Sequence, residues 1–224
     1  MITPEQFINH GDYIVMKSDA PLRTFSSAAH NPGYGEFRNF VNRTVDLNYN
    51  PINVQKEMEA FLEEHHLNVE DTVAMMTAVN MQFAHIDLYE DGETSVTIFV
   101  TAGLGNTVDV TRSHEYAYRP SVGTINIFIF INGRATDEAL IQALICAVEV
   151  KAKVMQERQI LDQTSNTIAT GTSTDSILVA ATQMGEFHQY GGSITRLGSL
   201  IGKGLYATLD KAVVEYLQYK EGER

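Results

Sequence analysis

Three short segments far apart in the chain share small, hydrogen-bonding residues: Thr101-Ala102-Gly103-Leu104-Gly105-Asn106, Gly123-Thr124-Ile125-Asn126 and Thr170-Gly171-Thr172-Ser173-Thr174-Asp175. Glycine lets backbone amides approach a ligand closely, while Thr, Ser and Asn supply neutral donors and acceptors. Any one of these segments reads equally well as a tight turn at a strand end. Three together point to a site for a substrate rich in amides and hydroxyls. None is a phosphate loop, because no Gly-Lys-Ser/Thr step or dinucleotide fingerprint stands at the required spacing.

Other groups with chemical potential are more ambiguous. Projected at about 100° per residue, the helix beginning at Asp137 puts Leu140, Ile141, Leu144, Val148, Ala152 and Met155 on one stripe, with Lys151 inside it. Such a lysine either extends its head to water or holds a partnered charge inside. Glu149 falls on the other side, in i,i+4 order with Lys153, which predicts an exposed ion pair. Ser26, Ser27 and His30 form a cluster in which a Ser/His pairing can activate an alcohol, although turn capping is the commoner use of such residues. Nothing beside Cys146 points to thiolate activation. His10, His65, His66, His85, His114 and His188 show no metal-ligand spacing, so no protein-bound metal is predicted.

The bulk numbers bound the answer. With 224 residues, 44% hydrophobic and 20% charged, the chain is expected to fold as a single domain with a substantial core. Its 28 acidic against 16 basic residues give a formal charge of −12, which disfavours nucleic-acid phosphates and anionic membrane surfaces as partners. The lone Cys146 and the lack of a Cys/His cluster argue against an intrachain disulfide or structural zinc and favour a reducing compartment. The first ten residues lack a signal-peptide pattern. Apolar runs reach about seven residues, against the roughly 20 needed to span a bilayer, so a cytoplasmic location is expected.

The elements that must position these residues follow from periodicity and caps. Residues 13–17 and 22–26 read as extended, split by a turn at Asp19-Ala20-Pro21, with a Gly/Asn/Pro loop over 30–35. Asn53 caps a helix running to about His66 with Met58, Phe61 and Leu62 inward, and a second helix is predicted after Asn68, with Asp71 in a capping-box-like position. Two strands between 83 and 101 meet at Glu90-Asp91-Gly92-Glu93. Ile125–Ile131, apolar on both faces apart from Asn126, reads as a central strand. Thr136 starts a helix to about Glu157, Ser176–Ala181 is a further strand, and a last helix covers about 197–219, where Gly198, Gly202 and Gly204 permit close packing. Strands and helices interleave without strict alternation. The predicted fold class is therefore α+β, or α/β: one layered domain with a mixed β-sheet covered by helices.

From residue 13 to 213 the order of these segments is similar to that of one known family. The residues that carry the likeness are Ser26-Ser27 with His30-Asn31-Pro32-Gly33, Thr101-Ala102-Gly103 with Asn106, Gly123-Thr124-Ile125-Asn126, and Glu149-Val150-Lys151. Ala169-Thr170-Gly171-Thr172-Ser173-Thr174-Asp175 and Leu197-Gly198 with Ile201-Gly202 complete the set. Each piece is weakly specific, but as an ordered set they resemble the adenosylcobinamide amidohydrolase family. The chain departs from that pattern at Val150, at Ser173, at Ile194, and after Asn106.

The resemblance implies hydrolysis of the amide joining a corrinoid acid to its aminopropanol arm, giving adenosylcobyric acid and 1-aminopropan-2-ol in cobalamin salvage. Cobalt would arrive within the corrinoid substrate, and no cofactor of the enzyme's own is implied. Amide hydrolysis needs an activated nucleophile, an oxyanion site and a proton for the departing amine. The substrate-binding residues the resemblance implies are Gly103, Asn106, Gly123, Thr124, Asn126 and Gly171. Lys151, Thr172, Thr174 and Asp175 are the leading chemical candidates, with Ser27, His30 and Glu149 behind them. A Thr or Ser nucleophile and an activated water both remain open. The expected partner is a small-molecule corrinoid, with no nucleic acid or membrane, and the central strand and last helix leave surfaces for association into a homo-oligomer. The rival readings are a corrinoid-binding protein without hydrolysis and an amidohydrolase acting on an unrelated amide.

Overall fold

The computed structural model describes residues 1–115 and 123–222. Strand β1 (Phe7–Asn9) leads into the long strands β2 (Tyr13–Ser26) and β3 (Gly33–Thr44), followed by helix α1 (Val54–Glu64) and strand β4 (Thr72–Thr77). The hairpin β5 (His85–Asp91) and β6 (Thr94–Ala102) precedes a short β7 (Thr107–Val108), then β8 (Ile125–Ile131) and a short β9 (Arg134–Ala135). Helix α2 (Asp137–Glu157), short β10 (Gly171–Thr172), β11 (Ser176–Ala181), short β12 (Phe187–His188) and helix α3 (Arg196–Gly222) complete the described chain.

The main sheet runs β4-β3-β2-β11-β8-β6-β5, with β1 also paired to β2. It is mixed, as expected: β3 with β4 and β11 with β8 are parallel, and the other neighbours are antiparallel. The fold is α+β. Strand β8 sits between β11 and β6 and is buried along its whole length, because its residues are apolar on both faces apart from Asn126. On one face Ile127, Ile129 and Ile131 pack with Val96, Ile98, Val100 and Val179 under α2 and α3. On the other, Phe128 and Phe130 join Phe99, Phe40 and Met16.

Burying one such Ile or Phe side chain contributes about 1.5–3 kcal/mol. Helix α1 covers the outer strands, placing Met58, Phe61 and Leu62 against Val15, Val41 and Ala74. Asn53 caps it as expected, accepting from the Lys56 amide at 3.0 Å. Thr136 caps α2 in the same way, accepting from the Ala139 amide at 3.0 Å. Among the described residues, no helix is long and apolar enough to cross a membrane.

Local expectations are corrected in several places. Residues 13–26 form one strand rather than two, and the Asp19-Ala20-Pro21 step is absorbed as a register shift between Lys17 and Leu22, where proline is tolerated. The chain from Gly33 to Thr44 is strand β3, not only a loop. Asn68 caps just a single 3-10 turn at Val69–Asp71, after which Thr72–Thr77 extends as β4 beside β3 in place of the expected helix. On α2, Ala139, Ala143, Cys146 and Ala147 are buried, whereas Ile141 and Val148 are 46% and 43% exposed. The small alanines allow close approach to neighbouring backbone, and this rotates the buried stripe away from the longer side chains. Lys153 pairs with Glu157 at 2.9 Å instead of with Glu149.

Candidate active site

The register of the sheet brings distant segments to one end. Strand β6 finishes where β8 and β11 begin, with Thr101 opposite Asn126 and Asn126 opposite Ser176. Strand β2 ends there too, since Ser26 lies opposite Leu178. The three polar loops therefore meet. The Gly103 amide donates to the Thr124 carbonyl at 2.9 Å, and the Ser173 amide donates to the Asn106 carbonyl at 3.2 Å. Asn106 Nδ2 donates to Ser173 Oγ at 2.8 Å and to Thr174 Oγ1 at 3.3 Å. Thr174 Oγ1 donates to the Gly123 carbonyl at 2.6 Å, and Thr124 Oγ1 donates to the Thr174 carbonyl at 2.8 Å. The β7–β10 ribbon, with Thr107 opposite Thr172, braces the same loops from the side.

Within this frame Lys151 of α2 and Asp175 form an ion pair whose side chains are only 12% and 8% exposed. The Asp175 carboxylate also accepts from the Thr172 hydroxyl, from the Thr172 amide at 2.9 Å and from the Ile125 amide at 3.0 Å. Several donors thus converge on one carboxylate, which compensates its removal from water. Gly171 makes the contact feasible: a Cβ there would strike the Asp175 carboxylate and come within 2.6 Å of Lys151 Nζ. Lys151 therefore holds a partnered charge inside, the second of the two readings its place on α2 allowed.

The remaining sequence candidates lie apart from that pair in differing degrees. Ser27 is exposed at the same sheet end, its Oγ accepting from the Ile177 amide at 3.0 Å. His30 is buried, with Nε2 bonded to the Val69 carbonyl at 2.8 Å, and no Ser27–His30 hydrogen bond occurs among the described residues. Glu149 is exposed and lines a separate depression with Lys153, Lys203 and Tyr206. Asn126 is fully buried, and its amide donates to Asn42 Oδ1 and to the Met76 carbonyl, each at 2.8 Å. Asn42 in turn donates to Thr101 Oγ1 at 2.8 Å, so these residues form a polar plug beneath the loops. Asn42 was not singled out in the sequence; an Asn facing inward beside Phe40 and Val41 was the available signal. Burial, and then the nearby Glu149 charge, push the Cys146 thiol up from its ordinary pKa, away from thiolate chemistry. No group of three His, Cys, Asp or Glu side chains placed to hold a metal occurs among the described residues.

Comparison with known proteins adds a family. Residues 2–221 match the family described as adenosylcobinamide amidohydrolase. The chain is 28% identical over 199 residues to the adenosylcobinamide amidohydrolase of Methanosarcina mazei, covering 82% of this chain and 88% of that protein. It is 25% identical over 203 residues to the uncharacterized protein MJ1613 of Methanocaldococcus jannaschii, covering 82% and 79%. It is 28% identical over 201 residues to the uncharacterized ABC transporter ATP-binding protein YvrA of Bacillus subtilis, covering 90% of this chain but only 36% of that longer protein. Among solved structures, the PH0078 protein of Pyrococcus horikoshii OT3 aligns over 97% of this chain and 80% of its own, at 10% identity and a TM-score of 0.45.

Proposed function

The chain belongs to the adenosylcobinamide amidohydrolase family, and from that premise we propose that it hydrolyses the amide joining the corrinoid to aminopropanol in adenosylcobinamide. The products are adenosylcobyric acid and 1-aminopropan-2-ol, and the reaction returns incomplete corrinoids to cobalamin synthesis in the cytoplasm. Cobalt enters as part of the substrate. The observation that supports this reading best is the convergence of the three polar loops on the buried Lys151–Asp175 pair with the Thr172 hydroxyl.

In this proposal Asp175 receives the proton of the attacking hydroxyl, Thr172 being the hydroxyl already bonded to it. Lys151 supplies positive charge and a donor for the developing oxyanion and the departing amine. Asn106, Thr174 and the Gly103 and Gly123 loops orient the substrate's amides. Attack by Thr172 forms an ester to the acyl carbon as the carbon–nitrogen bond breaks and the amine leaves with a proton; water then cleaves the ester, releasing the acid and restoring the Thr172 hydroxyl. Incubation of the purified protein with adenosylcobinamide tests the reading: release of aminopropanol is expected, and intact substrate after prolonged incubation with folded protein overturns it.

A further inference from the structure

Segment 104–107 serves two surfaces. Asn106 bonds Ser173 and Thr174 of the candidate site, while its neighbours Leu104, Gly105 and Thr107 line a cleft of about 540 Å³. Gln159, Leu161 and Gln163 after α2 line it as well, Leu161 sitting beside Thr107, whose hydroxyl donates to the Leu161 carbonyl at 2.7 Å, and Tyr216 and Leu217 near the end of α3 join them. Ile160 and Lys220 complete the lining. Leu104, Leu161 and Leu217 supply its apolar surface. The Gln163 amide and the Tyr216 hydroxyl make no hydrogen bond to other described residues, and among the described residues no carboxylate lines the cleft, although the chain carries a net charge of −12.

Gln159 lines the cleft at the end of α2. It follows the C-cap of α2 with φ 54°, a left-handed position usually given to glycine. Its side-chain amide turns back to donate to the Gln156 carbonyl at 2.8 Å, closing the helix end beside the cleft, so this head group is already partnered.

We propose that this cleft takes a carboxamide-ended arm of the substrate remote from the scissile amide. The inference rests on the corrinoid reading above. A short methylene stem suits the leucine surface, and a primary amide both donates and accepts, matching glutamine and phenol head groups. The volume is ample for one arm rather than a whole macrocycle.

The test uses Leu161→Trp, which fills the cleft from its half-exposed rim, and Gln163→Ala, which removes one amide. Thermal melting checks folding. Binding of adenosylcobyric acid, which keeps the carboxamides but lacks the aminopropanol arm, is measured by equilibrium dialysis beside the KM and kcat for aminopropanol release. Leu161→Trp is expected to weaken binding and raise KM by about tenfold with kcat little changed, and Gln163→Ala by about threefold. Unchanged binding in a folded Leu161→Trp protein overturns the inference, as does absence of binding to the wild type. A wild type that binds adenosylcobyric acid through this cleft yet releases no aminopropanol sinks the hydrolytic reading and leaves the cleft assignment standing.

Discussion

Lys151 and Asp175 meet over the bare backbone of Gly171, 24 residues apart in sequence and joined at a position where any Cβ would part them. Gly171→Ala is therefore expected to displace the pair. Overpacking of this kind costs about 1–3 kcal/mol, so the variant should melt lower yet stay folded, and its turnover should fall by at least about tenfold. Aminopropanol release beside thermal denaturation checks both; wild-type turnover in the variant contradicts the role given to the pair.

Removing one partner of the pair exposes the other to the full penalty of a buried, unpaired charge. Lys151→Met and Asp175→Asn are each expected to destabilise by about 3–5 kcal/mol and to lower turnover at least about a hundredfold. The double variant should be less destabilised than the sum of the two. A urea-denaturation cycle reads the coupling, and additivity within about 0.5 kcal/mol would show that the two groups do not interact.

How far the sequence led depended on whether local pattern or distant pairing decided each element. Strand β8 and helix α2 were legible because Ile125–Ile131 is apolar on both faces apart from Asn126 and Thr136 caps a long helix. Strand β4 was not, because Asn68 and Asp71 look like a helix start whether the chain goes on to wind or, as here, to pair with β3. In the site, Gly103, Gly123 and Thr172 were recognisable as loop chemistry. The partnership of Lys151 with Asp175 was not, since periodicity places a lysine on a face without saying what meets it there. Asn126 shows the converse: a polar residue in an apolar strand drew attention as a ligand contact, yet its amide bonds Asn42 and Met76.

Asn126→Ala should accordingly report on stability. It leaves Asn42 Oδ1 and the Met76 carbonyl without their donor, at a cost of about 1–3 kcal/mol. The urea midpoint is expected to fall with an unchanged slope, and KM to stay within about twofold of wild type. A large rise in KM with unchanged stability would return Asn126 to the substrate-binding set.

His188 is one group expected to contribute to acid sensitivity. Burial, its largest influence, lowers the imidazole's pKa below the ordinary value of about 6.5. The folded chain thus binds this proton less readily than the unfolded chain. Above about pH 6.5 both states are neutral at this group and its contribution is constant; below it the unfolded state gains protons first, so stability falls as pH drops toward the folded-state pKa. The imidazole packs closely over the Gly133 backbone, and His188→Asn removes the titrating group with a smaller polar side chain that fits the same space. Urea denaturation between about pH 7.5 and 5 should show wild type losing stability on acidification more steeply than His188→Asn. Parallel pH profiles for the two proteins would mean that His188 takes no part in the acid response.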